Sequence, residues 1–231
     1  NTISNNNIGP AGSNLPSKAI YGNGSTTSVT RANSGIIISG NNIYDYYLSG
    51  AHAAIYTNDG NTDWTISNNK FYQSASRTFS GTTGSVIYIN GSTTANNNNL
   101  ISGNTIGFAN SAGTGTYTVV GVSGSVFIPI NINAAGTTTA TSIQGNTIAG
   151  IAMSGASSGT STSAPFRAIY VGAGLTTIGD VTGNTIGSQS ATGSITYTSS
   201  STSASDVIGM FNFGSSNWTT NNNTIGGITA S

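Results

Sequence analysis

The side chains able to do acid–base or ligand chemistry are few in this sequence. There are five Asp (Asp45, Asp59, Asp63, Asp180 and Asp206), no Glu and no Cys; the cations are Lys18, Lys70, Arg31, Arg77 and Arg167, and His52 is the single His. Three of the Asp and the His fall in "YDYYLSGAHAAIYTNDGNTDWTISNNKFY", residues 44–72, together with Trp64, Lys70 and several tyrosines. Hydrolysis of a glycan needs two carboxylates held across the scissile bond, and elimination needs a base beside a stabilised carboxylate. No paired carboxylates occur here, and none recur at matching positions along the chain. Within "NDGNTD" (58–63), oxygen-bearing side chains alternate around a turn glycine, which nominates Asp59 and Asp63 as a weak calcium site. The segment lacks the length and distal Glu of an EF-hand loop, and the alternative is an Asp/Asn turn capped by its own side chains. A lone His without Cys cannot complete a metal set, and no nucleophile elbow accompanies the serines. No catalytic residue is assigned, no cofactor beyond that calcium, and the reading leans away from an enzyme.

Composition narrows the class further. The chain has 231 residues, 4% of them charged, with a formal net charge of zero. Nucleic acid and anionic membrane both require clustered Lys and Arg, so neither is an expected partner. No apolar run approaches the ~18–20 residues of a bilayer span. Disorder is the usual reading of a Gly/Ser/Thr/Asn-rich chain, yet Ile, Val and Tyr are spread evenly enough to supply a core. The absence of Cys suits an exported bacterial protein of repetitive design better than a small disulfide-bonded domain. A single domain over 1–231 is expected, as a segment of a longer chain.

What must position these residues is a repeat. The pattern apolar–x–(Gly/Asn)–Asn–x–apolar occurs seven times: "ISNNNI" (3–8), "ISGNNI" (38–43), "ISNNKF" (66–71), "ISGNTI" (101–106), "IQGNTI" (143–148), "VTGNTI" (181–186) and "TNNNTI" (220–225). Its fourth position is Asn6, Asn41, Asn69, Asn104, Asn146, Asn184 and Asn223, spaced by 35, 28, 35, 42, 38 and 39 residues. A constant unit at variable spacing implies fixed strands joined by unequal loops. Between the copies lie "AIY" (19–21), "AIY" (54–56), "VIYI" (86–89), "VFIPI" (126–130), "AIYV" (168–171) and "IGMF" (208–211), short β-branched or aromatic runs that read as strands. Helical periodicity is absent. The expected architecture is all-β, a right-handed parallel β-helix (solenoid) with three short strands per coil and about six to seven coils. At about 4.8 Å per coil it makes a rod roughly 30 Å long.

In this scheme the fourth-position asparagines occupy the corner, in or near left-handed geometry, and pass amide hydrogen bonds from coil to coil. Ile8, Ile43, Phe71, Ile106, Ile148, Ile186 and Ile225 form one interior ladder; Ile3, Ile38, Ile66, Ile101, Ile143 and Val181 form another, broken at Thr220. The corner's fifth positions (Asn7, Asn42, Lys70, Thr105, Thr147, Thr185, Thr224) make one outward column, too narrow for an ice-binding plane.

The repeated "I-S-G-N-T-I" unit, from Ile3 to Ile228, resembles that of right-handed parallel β-helix proteins, the superfamily that includes pectate lyases and many bacterial surface proteins. The resemblance implies the fold; for function it leaves lyases, hydrolases, adhesins and tailspikes open. The Asn/Thr/Gly-rich, Glu-free style is similar to repeats of very large Bacteroidota surface adhesins, which implies an extracellular or cell-surface location.

Strand alternation then predicts a face. With Ile20, Ile55, Ile87 and Ile169 inward, Tyr21, Tyr56, Tyr88 and Tyr170 form an outward column, interrupted by Ile128. Such a column, with Trp64, would stack on glycans or anchor a protein; the alternative is rings packed along their own ladder. The leading expectation is a non-enzymatic stalk or adhesin module, the competing one a carbohydrate-binding or polysaccharide-degrading β-helix using residues 44–72. Both ends read as open repeat, without caps. Further coils or domains of the same chain, or secretion and surface proteins, are the partners expected there.

Overall fold

A computed structural model of the chain describes residues 1–25, 29–91, 95–188 and 193–231. It is a parallel β-helix: every pairing between its named strands is parallel. The strands leading into the Asn corner stack as Thr2–Ser4, Ile37–Ser39, Thr65–Ser67, Leu100–Ser102 and Thr141–Gln144. Those leaving it stack from Asn7–Ile8 through Lys70–Tyr72 to Thr224–Ile225. The "AIY" runs form the next face, from Lys18–Gly22 through His52–Thr57, Thr83–Ile89 and Val126–Ile132 to the near halves of Phe166–Ile178 and Val207–Thr220. Three strands suffice for the first two coils, aside from a two-residue bridge of Asn33–Ser34 on Asn61–Thr62. From the third coil a further strand enters between corner and "AIY" faces, beginning at Arg77–Phe79 and ending at Ile228–Ala230.

Most of these strands are two to five residues long, too short to be stable alone. They are held because alternation sends one side of each into a shared interior. Ile43, Phe71, Ile106, Ile148 and Ile186 are at most 1% exposed and lie in register, so the first predicted ladder is interior over these coils; Ile225 keeps the register with Ile186 but is 45% exposed. Ile20, Ile55, Ile87, Ile130, Ile169 and Met210 make another column under the "AIY" face. Each buried Ile removes enough apolar surface from water to contribute about 2–3 kcal/mol, so the core outweighs a surface with very few charges.

Two details differ from the sequence reading. In the sixth copy the ladder continues through Ile178, in register with Ile143 and Thr220, while Val181 is 76% exposed. The chain leaves the sheet at Gly179 (φ 77°) and rejoins at the corner, so Val181 keeps its spacing to Asn184 but lies on an outward bulge. Nor are the fourth-position asparagines the left-handed residues. In six of the seven copies that conformation belongs to the position before them: Asn5, Gly40, Asn68, Gly103, Gly145 and Asn222, with φ of 57°, 67°, 55°, 65°, 63° and 58°; in the bulged sixth copy it falls at Gly179 and not at Gly183. Gly and Asn are the two residue types that accept it most readily, which explains why this position varies only between them.

The fourth-position asparagines are instead a buried ladder. Asn104 donates from its main-chain N to Asn146 Oδ1 (3.0 Å), and from Nδ2 to the same oxygen (2.9 Å) and to the Ile66 carbonyl (2.8 Å). Its own Oδ1 accepts the equivalent pair from Asn69. The same set repeats from Asn41 to Asn184, and Asn6 and Asn223 continue it at the ends. A second inner asparagine column, Asn33, Asn61 and Asn96, lies at the turn after the "AIY" face.

Candidate functional site

The "AIY" face presents the feature with most capacity for binding. Tyr21, Tyr56 and Tyr88 are in register and point outward, with ring centroids 5.6 Å apart (Tyr21–Tyr56) and 4.9 Å apart (Tyr56–Tyr88). The register continues through Asn131 to Tyr170 and Phe211. The interruption in the fourth coil is therefore Asn131. Ile128 pairs with Ser85 and is 3% exposed; the ring position of this coil falls at Asn131 and the inward one at Ile130, three residues later than the sequence alignment set them. Beyond the gap the rings resume, Tyr170 stacking on Phe211 at 6.0 Å and Phe211 on Phe213 at 6.4 Å.

Two residues beyond Tyr21, Tyr56 and Tyr88, and so on the same side of the strand line, lies an amide. Asn58 donates to Asn23 (3.0 Å), Asn90 to Asn58 (3.1 Å) and Asn133 to Asn90 (2.7 Å), while Asn90 also reaches the hydroxyls of Tyr56 and Tyr88. The signal was in the sequence as Tyr-x-Asn at Tyr21, Tyr56 and Tyr88, with Asn131-x-Asn133 in the fourth coil; period-two spacing places both members on one face. Lys18 adds a cation 5.1 Å from the Tyr56 ring centroid.

Where Asn131 replaces a tyrosine the face opens into a cleft of about 590 Å³, lined by Tyr56, Tyr88, Asn131, Arg167, Tyr170 and Phe213, with His52 among the remaining walls. Arg167 is 5% exposed; its guanidinium carbon lies 4.9 Å from the Tyr170 ring centroid and 5.9 Å from that of Phe211. Burial lowers its pKa, and the neighbouring Tyr170 opposes that shift. Burial also pushes Tyr88 up to about 12, with Tyr56 and Tyr170 adding to it, so the Tyr88 phenol is a neutral donor near neutral pH. His52 donates from Nδ1–H to the Gly50 carbonyl (2.9 Å) and packs edge-on to Phe79 at 4.7 Å; burial lowers its pKa, which favours neutral imidazole.

The residues 44–72 cluster does not converge. Asp45 accepts from Ser74 N (2.9 Å), Ser74 Oγ (2.6 Å) and Arg77 (2.6 Å), while Arg77 Nε donates to Gln73 and Gln73 to the Tyr46 carbonyl. This is a clasp across adjacent coils. Asp63 takes a left-handed corner (φ 56°), and its oxygens accept from Ser34 and Asn98. Asp59 lies elsewhere, its main-chain oxygen accepting from Gly24. Among the described residues no group of three or more His, Cys, Asp or Glu is placed to hold a metal ion. Trp64 is 4% exposed, its indole N–H donating to the Asn33 carbonyl, so it belongs to the interior and not to the tyrosine column. Lys70 sits in the predicted threonine column, and its Nζ donates to the Ser111 carbonyl.

Comparison with protein-family models, with curated proteins and with solved structures returns no match.

Proposed function

We propose that this chain is a non-enzymatic structural and adhesin module, a β-helical segment of an exported bacterial surface protein, whose Tyr/Asn face docks glycans. The observation that carries this reading is the pair of parallel ladders: Tyr21, Tyr56 and Tyr88 beside Asn23, Asn58, Asn90 and Asn133, on one face of a stiff frame. Rings offer stacking surface for sugars, and adjacent amides offer donors and acceptors for their hydroxyls at low entropic cost. A cell-surface setting similar to that of large Bacteroidota adhesins agrees with the repeat style and the very low charge. Further coils, or other domains and surface proteins, would stack on the open strand edges. The polysaccharide-degrading alternative draws no support from residues 44–72, since Asp45 and Asp63 are spent on internal hydrogen bonds.

The test is retention of the protein on a glycan array and on insoluble polysaccharides. Tyr56→Ala and Tyr88→Ala should each weaken retention about tenfold, with the melting temperature little changed. Tyr44→Ala, which removes one ring of the Tyr44–Tyr72 stack on another face, should leave it unchanged. Absence of binding to every glycan, or equal loss in all three variants, would overturn the reading.

A further inference from the structure

Two residues that line the cleft at the break in the tyrosine column each carry a buried polar atom that the fold leaves unsatisfied. Arg167 Nε and Asn131 Oδ1 are both buried and have no hydrogen-bond partner. Each residue is only 5% exposed, and both line the same cleft. Among the described residues Arg167 forms no ion pair; the chain's one such pair there joins Arg77 to Asp45. A guanidinium taken out of water normally finds a carboxylate, because an unpaired buried charge is costly. Among the described residues its contacts are the faces of Tyr170 and Phe211, and Nε is left without an acceptor. If the position served packing only, an apolar side chain of similar length would do so without that cost. The pairing of one unsatisfied donor group with one unsatisfied acceptor, between aromatic walls, has the chemistry of a binding site.

We propose that this cleft binds a sugar residue bearing one anionic substituent, a carboxylate or a sulfate ester. Arg167 receives the anion, Asn131 Oδ1 accepts from a ring hydroxyl, and Tyr56, Tyr88 and Phe213 flank the ring. The planar fork of arginine suits both anions, since each offers two oxygens in matching geometry. Placement fits as well: the cleft interrupts the tyrosine column, so a glycan lying along Tyr21, Tyr56 and Tyr88 would bring its next unit to Arg167. The site thus sets which glycan the face selects, and it rests on the docking proposed above.

The experiment measures binding of the whole chain to three oligosaccharide sets of equal length: neutral, uronate-containing and O-sulfated. Wild type should bind at least one acidic set roughly ten- to hundredfold more tightly than the neutral set. That preference should shrink between 50 and 500 mM NaCl, values chosen at about 14 Å and 4 Å of screening length. Arg167→Met keeps the stem against Tyr170 while removing the charge; it should abolish the preference and leave neutral binding intact. Which acidic set responds identifies the anion as carboxylate or sulfate. Asn131→Asp gives the guanidinium an internal counter-ion and repels an incoming anion; it provides the same test should Arg167→Met fold poorly. Equal binding of neutral and acidic sets by wild type, or an acidic preference that survives both substitutions, would overturn the proposal while leaving glycan docking standing. Failure to bind any of the three sets would remove both.

Discussion

At the scale of single residues, the chain depends on asparagine used in three ways. Asn104 in the inner ladder makes hydrogen bonds to the coils on either side of it, with both amide protons and the carbonyl oxygen engaged. Asn68, one position earlier in its copy, supplies left-handed backbone. Asn58 and Asn90 lie outside and tie the rings of the "AIY" face to one another. Only the first use leaves buried groups stranded when the side chain is lost. Asn104→Ala is therefore expected to destabilise by about 3 kcal/mol, because Asn69 N and Nδ2 lose their acceptor in a dry interior. Asn104→Asp should cost at least as much at neutral pH: a carboxylate still accepts from Asn69, yet has no proton to give to Ile66 O or Asn146 Oδ1. Asn6→Ala, at the exposed end of the same ladder, should cost well under half as much. Chemical denaturation of the three variants gives this ordering, and equal costs at Asn6 and Asn104 would contradict it.

At the scale of elements, the corner is built by two coils together. Glycine at position 103 holds φ 65°, and a Cβ there would lie 2.3 Å from Asn68 Oδ1 in the coil before. Gly40 stands in the same relation to Asn5, at 2.6 Å. An asparagine at the left-handed position thus folds over the next coil, where glycine leaves it room, as in the pairs Asn5–Gly40 and Asn68–Gly103. Gly103→Ala should cost about 2 kcal/mol, from left-handed strain and from the clash together. Asn68→Gly combined with Gly103→Ala should recover part of that loss, since it removes the clash and leaves the strain. Thermal melts of the single and double variants measure the coupling, and strict additivity would refute the cross-coil contact. The Asp45–Arg77 clasp belongs to the same scale. Its residues drew attention in the sequence as potential chemistry, but they fasten a turn that has positive φ at Asp45.

At the scale of the whole molecule, a chain with so few titratable groups should show a simple pH dependence, and His52 supplies its neutral-range step. Burial lowers the His52 pKa from the ordinary 6.5, so between the folded and unfolded values the unfolded chain binds the proton and the folded chain does not. Its contribution is complete above about pH 6.5 and is lost as pH falls below that. The melting temperature should be flat from pH 8 to 7 and decline toward pH 5, and His52→Gln should remove that part of the decline. Much of the architecture was legible in advance because a repeat states its own register: seven copies aligned on Asn fix which residues stack, and alternation fixes which point inward. Those rules depend only on local geometry, so the Asn ladder, the Ile43–Ile186 column and the Tyr21–Tyr56–Tyr88 column could be read directly. What tertiary structure alone decided was where that local rule slips. The bulge at Gly179 moved Val181 to the surface, the "VFIPI" strand shifted so that Asn131 took the ring position, and Trp64 turned inward to the Asn33 carbonyl. Arg167 was one cation among five in the sequence, because a cation becomes a candidate site only when burial removes water and, among the described residues, no carboxylate pairs with it.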